Sequence, residues 1–106
     1  MPRLLNDDEV LRQLQGLPDW HRRSEEPRPI AAKFVLGDFA DAMIFVNQVA
    51  AEAEEMDHHP DIDIRWNTVE LALCTHSAGG LTQLDMELAH RISALPRPTG
   101  TGESES

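Results

Sequence analysis

The sequence predicts an α+β fold, an antiparallel sheet covered by helices on one face. Three segments open with helix-cap signatures, and between them apolar residues alternate with a period of two. The resulting order is helix, hairpin, helix, hairpin, helix.

Asn6 caps the first helix, with Glu9 as its reciprocal partner and Leu5 with Val10 as a hydrophobic staple. Val10, Leu14 and Leu17 keep helical spacing, and Gly16 followed by Pro18 ends it. A fainter strand starts around Trp20 and returns through the turn-like Ser24-Glu25-Glu26-Pro27-Arg28-Pro29. Ile30, Ala32, Phe34 and Leu36 then alternate with Ala31, Lys33 and Val35 as a strand. Asp38 caps the second helix, and Phe39, Met43, Val46, Ala50 and Ala53 mark its apolar face. Pro60 closes that segment by disfavouring helical geometry at His59. Ile62, Ile64 and Trp66 alternate with Asp63 and Arg65, and Val69, Leu71, Leu73 and Thr75 repeat the pattern. Asn67-Thr68 between them predicts a tight hairpin. Thr82 caps the third helix, with Asp85 as box partner, Leu81 with Met86 as staple, and Leu84, Leu88, Ile92 and Leu95 as stripe. Residues 1–96 are expected to form one domain, and residues 97–106, rich in Pro, Gly, Ser, Thr and Glu, a disordered acidic tail.

Nine Lys plus Arg against nineteen Asp plus Glu give a formal charge of −10 and a pI near 4.7. That balance argues against a nucleic-acid binder and a peripheral binder of anionic membranes, since both need a basic surface. No targeting segment is expected, and no apolar run approaches the ~18 residues of a membrane span. The lone Cys74 excludes an internal disulfide and fits a reducing cytoplasm.

Histidine suits proton transfer near neutral pH. His58 and His59 sit together in Glu54-Glu55-Met56-Asp57-His58-His59-Pro60, and His76 ends the last strand. Both places open into loops, where sites concentrate. Plainer roles exist for each. A histidine at a helix C-terminus is favoured by the dipole, Glu54 four residues before His58 makes an ordinary helical pair, and Asp85 already serves a capping box. His21 and His90 carry no supporting pattern. Adjacent histidines seldom share one metal, so the set reads poorly as a zinc site. Phosphate loops, Cys-x-x-Cys and nucleophile elbows are absent.

The blocks Ala53-Glu54-Glu55-Met56-Asp57-His58-His59-Pro60, Trp66-Asn67-x-Val69, Leu73-x-Thr75-His76 and Gly79-Gly80-Leu81-Thr82-x-x-Asp85 closely resemble the pterin-4a-carbinolamine dehydratase family. Gly16-Leu17-Pro18-Asp19-Trp20 and Phe34-x-x-x-Asp38-Phe39-x-x-Ala42 extend the resemblance over most of residues 4 to 95. It implies a four-stranded antiparallel sheet with three helices on one face, joined into homodimers or homotetramers. It implies loss of water from a 4a-hydroxytetrahydropterin to give the quinonoid dihydropterin. That step recycles tetrahydrobiopterin for aromatic amino-acid hydroxylases, with no metal or other cofactor. By the same resemblance His58, His59 and His76 are catalytic: His58 and His76 carry acid and base roles, and His59 orients the pterin. Glu54 and Asp85 orient the imidazoles, and Trp20 lines the pocket. Ala78 stands where some relatives have cysteine, and Trp66 where many have tyrosine. Members of the same family also act as dimerisation cofactors of transcription factors, and related domains act as assembly factors, so a non-enzymatic binder is the rival reading.

Overall fold

The Glu9 N–H donates to Asn6 Oδ1 at 2.8 Å, and the Asn6 N–H donates to Glu9 Oε1 at 2.8 Å. This reciprocal cap starts α1, Asp7–Leu14. The computed structural model of the chain describes residues 2–97. After α1 come β1 (His21–Arg22), β2 (Ile30–Val35), α2 (Phe39–Met56), β3 (Asp61–Arg65), β4 (Thr68–Leu73) and α3 (Gln83–Ser93), with one 3₁₀ turn at His76–Ala78. Asp38 caps α2 through the Asp41 N–H, and Thr82 shares a capping box with Asp85 at the start of α3. Residues 98–106, which hold nearly all of the expected tail, lie outside the described residues.

The four strands form one antiparallel sheet in the order β1-β2-β4-β3. Alternation sets its two faces. Ile30, Ala32 and Phe34 of β2 and Val69, Leu71 and Leu73 of β4 are buried, packed in one cluster with Ala42, Phe45, Val49 and Ala53 of α2 and Met86, Leu88, Ala89 and Ile92 of α3. The other face carries Lys33, Asp63, Arg65 and Glu70. Fully burying a side chain such as Phe45, Leu71 or Ile92 contributes about 1.5–3 kcal/mol, whereas an exposed pair such as Arg65 with Asp63 contributes about 0–1. The helices are therefore held to the sheet by the apolar cluster.

Four sequence expectations need correcting. The face of α2 that turns inward is Ala42, Phe45, Val46, Val49 and Ala53, while Phe39 and Ala50 are exposed and Met43 is half-buried. This helix is apolar around most of its circumference, so spacing alone did not select a face. On α3 the inward stripe is Met86, Leu88, Ala89 and Ile92, with Leu84 and Leu95 only half-buried. The β3–β4 turn is Trp66-Asn67, because Arg65 pairs directly with Thr68. Trp66 holds a left-handed φ of 51° and is 66% exposed, so it belongs to the turn and not to the strand. Finally, α2 stops at Met56, before Pro60 can act.

The register determines what meets at one end of the sheet. Asp61 pairs with Ala72, so the residues before β3 lie beside those leaving β4. A bridge between Thr75 and Gly80 then folds the chain back and delivers the first turn of α3 to the same end.

Candidate active site

The geometry begins with the end of α2. Asp57 takes the left-handed conformation, φ 50° and ψ 45°, which Asp tolerates better than most residues. Its N–H bonds the Glu54 carbonyl at 3.2 Å, and the His58 N–H bonds the Ala53 carbonyl at 3.0 Å. Those two bonds are the Schellman pattern. The reversal turns His58 inward and leaves His59 outside.

His58 is 9% exposed, and its Nε2 lies 2.6 Å from Asp85 Oδ1. Asp85 is fully buried. Its second oxygen accepts from the Thr75 hydroxyl at 2.8 Å and from the Thr82 N–H at 2.9 Å. The Thr75 and Thr82 hydroxyls are themselves 2.7 Å apart. Asp85 thus serves both the helix and the histidine: one oxygen completes the capping box and the other receives His58. A buried carboxylate is costly without partners, and here each oxygen has at least one.

His59 and Glu54 are both exposed, with His59 Nε2 2.6 Å from Glu54 Oε2. The helical pair expected between Glu54 and His58 does not form. Asp57 ends the helix between them, and His58 goes to Asp85 instead. His76 opens the 3₁₀ turn with an exposed ring that makes no side-chain hydrogen bond among the described residues. His58, His59 and His76 therefore flank the β3 entry and the β4 exit, one ring buried and anchored and two open to solvent. His21 and His90 are exposed elsewhere.

Trp20 occupies a different place. It is 4% exposed, its indole N–H donates to Ser93 Oγ at 2.9 Å, and its ring meets Phe34 edge-on at 6.3 Å. Ser93 lies two turns along α3 from Asp85, about 12 Å at the usual helical rise. The contacts of Trp20 run into the core and not to the three histidines.

Thr75, absent from the expected site residues, belongs to this constellation too. A signal was available: Thr75 continues the inward series Val69, Leu71, Leu73, and a hydroxyl on a buried face requires a partner. Cys74 beside it is buried, with its thiol 3.6 Å from the Gly80 carbonyl. Burial, and after it the Asp85 charge, pushes the Cys74 thiol up. It is a poor nucleophile, because the thiolate is the reactive form. Among the described residues no group of three or more His, Cys, Asp or Glu is arranged to hold a metal ion, and no helix is long and apolar enough to cross a membrane. The arrangement places three imidazoles, side chains suited to general acid–base chemistry, around one loop junction at the end of the sheet.

The pterin 4 alpha carbinolamine dehydratase family model matches residues 3–95. A protein of Nocardia farcinica, provisionally named a pterin-4-alpha-carbinolamine dehydratase, is 48% identical over 95 residues, covering 89% of this chain and 96% of its own. One from Thermomicrobium roseum with the same provisional name is 44% identical over 91 residues, 86% of this chain and 95% of its own. Among solved structures, a transcriptional coactivator/pterin dehydratase from Brucella melitensis superposes with a TM-score of 0.82 at 34% identity, covering 87% of this chain and 97% of its own. A pterin dehydratase-like protein identified as a RuBisCO assembly factor in the alpha-carboxysome gives 0.60 at 25% identity, over 72% of this chain and 87% of its own. With its family model spanning nearly all the described residues and relatives this similar over most of their length, the chain belongs to the pterin-4a-carbinolamine dehydratase family.

Proposed function

We propose that this protein is an active dehydratase that removes water from a 4a-hydroxytetrahydropterin and releases the quinonoid dihydropterin. The observation that supports this reading is the buried pair of His58 with Asp85, with His59 just before β3 and His76 just after β4 at the end of the sheet where the β3–β4 register puts both segments. Breaking the C–O bond needs a proton on the departing hydroxyl, and closing the new double bond needs a base for the ring-nitrogen proton. His58 and His76 carry these two transfers, each typically contributing ~10²–10⁴-fold. His59, held by Glu54, binds and orients the pterin. The His58 nitrogen facing Asp85 is already engaged, so its Nδ1 is the atom available to the reaction.

The reaction needs no redox partner, since water leaves without a change in electron count. The product is consumed by a reduction elsewhere, which places the enzyme in tetrahydrobiopterin recycling beside an aromatic amino-acid hydroxylase, in the cytoplasm. A second copy of the chain is the natural neighbour. β3 stands at the sheet edge, and Phe39 and Ile44 of α2 are half exposed at 51% and 48%. Both features support a homodimer or homotetramer.

The assay is dehydration of chemically generated 4a-hydroxytetrahydropterin, followed by ultraviolet absorbance against the spontaneous rate. Clear acceleration by pure protein is expected, and no acceleration overturns the enzymatic reading. That second outcome favours a non-enzymatic role on the same fold, as a dimerisation cofactor or assembly factor. The likeness to the carboxysomal assembly factor supports that alternative.

A further inference from the structure

We infer that Thr75 is a positioning residue, whose hydroxyl fixes the Asp85 carboxylate and through it the tautomer of His58. The donors and acceptors leave one self-consistent arrangement. A carboxylate only accepts, so the single proton of Thr75 goes to Asp85 Oδ2 at 2.8 Å. The Thr82 hydroxyl, 2.7 Å from Thr75 Oγ1, must then be the donor in that contact. Thr82 Oγ1 in turn accepts from the Leu84 N–H at 3.3 Å. Every hydroxyl in the chain thus has its direction set by the next. The Thr82 N–H adds a second bond to Oδ2 at 2.9 Å.

Two donors on Oδ2 hold the carboxylate against rotation about its last bond, a torsion that is otherwise broad. They leave Oδ1 aimed at His58 Nε2, 2.6 Å away. An acceptor at that distance requires the proton on Nε2, so the neutral ring keeps its lone pair on Nδ1. All the groups that impose this are buried: Thr75 at 4%, Thr82 and Asp85 at 0% exposure. Water cannot readily replace a missing partner there. Thr75→Val keeps the shape and removes the one proton that locks Oδ2 from the strand side. The inference rests on the dehydratase reading for its kinetic consequence, but its structural core does not.

The test combines ring-nitrogen NMR with steady-state kinetics on wild type, Thr75→Val and Thr75→Ser. Wild-type His58 is expected as the Nε2–H tautomer. Thr75→Val should show a mixture of tautomers and a kcat lower by roughly tenfold, the rate equivalent of one net hydrogen bond, with KM nearly unchanged. Thr75→Ser, which restores the hydroxyl, should recover both the single tautomer and most of the rate. Should the valine variant not fold, Thr75→Ala takes its place and is read in the same way. An Nδ1–H ring in wild type overturns the inference without any variant, and so does a Thr75→Val protein with the wild-type tautomer and kcat. Wild type that shows the Nε2–H ring but no acceleration sinks the dehydratase reading and leaves the role of Thr75 standing.

Discussion

Asp85→Ala should be among the most destabilising single changes in this chain, and Asp85→Asn should be far milder. The alanine variant removes the acceptor of three buried donors: His58 Nε2, the Thr75 hydroxyl and the Thr82 N–H. A buried donor left without an acceptor costs about 1–3 kcal/mol, and the three share one carboxylate, so their losses do not simply add. The expected loss is about 3–5 kcal/mol, a large part of the ~5–15 kcal/mol typical of a domain. In Asp85→Asn the amide oxygen can still accept from Thr75 and Thr82, and only the bond to His58 is disturbed. That variant should lose about 1–2 kcal/mol. Urea unfolding followed by the fluorescence of the buried Trp20 measures both, with the slope unchanged. An alanine variant within about 1 kcal/mol of wild type would refute the reasoning, as would an asparagine variant equally damaged.

His59→Ala and His76→Ala should each lower turnover by at least about tenfold while moving stability by no more than about 0.5 kcal/mol, because both rings are exposed; full rate in both means the site is misplaced. Native Cys74 should react with a thiol reagent far more slowly than the urea-unfolded chain, and its reactivity should rise only above the ordinary thiol value of 9.0. Equal rates in the two states would contradict the burial argument. The Arg3 guanidinium, and then the Asn6 N–H, hold the Glu9 carboxyl below its ordinary value. A lowered folded value means its stabilisation is present above pH 4.5 and is lost as pH falls through the folded value. Glu9→Gln should therefore flatten the acid limb of the stability profile; an unaltered limb counts against this.

The starts of the helices were legible from the chain because capping is local chemistry. Asn6 with Glu9 and Thr82 with Asp85 satisfy orphan N–H groups within one turn, and both boxes form. Strand alternation was legible on β2 and β4 for a similar reason, since one face of each meets the core. Local reading failed where several choices satisfy the same local rule. α2 offers apolar residues on most sides, and packing against β2 and β4 decides that Phe45 and Val49 face inward while Phe39 does not. The β3–β4 turn moved by one residue for a comparable reason: register is set by the pairing of the whole ladder and not by the favourite turn residue.

The sequence by itself determined the fold class, the caps and the set of histidines at element ends. Those properties follow from side chains acting on their own backbone neighbours and from the period of the apolar residues. Only the tertiary structure decided the partners within the candidate site. The left-handed Asp57 parts His58 from Glu54 and hands it to Asp85, which lies on another helix 27 positions along the chain. Thr75 joins them because β4 and α3 meet through the Thr75–Gly80 bridge. Donor–acceptor pairing in a buried site depends on distances between remote segments, and those exist only once the sheet and helices have packed.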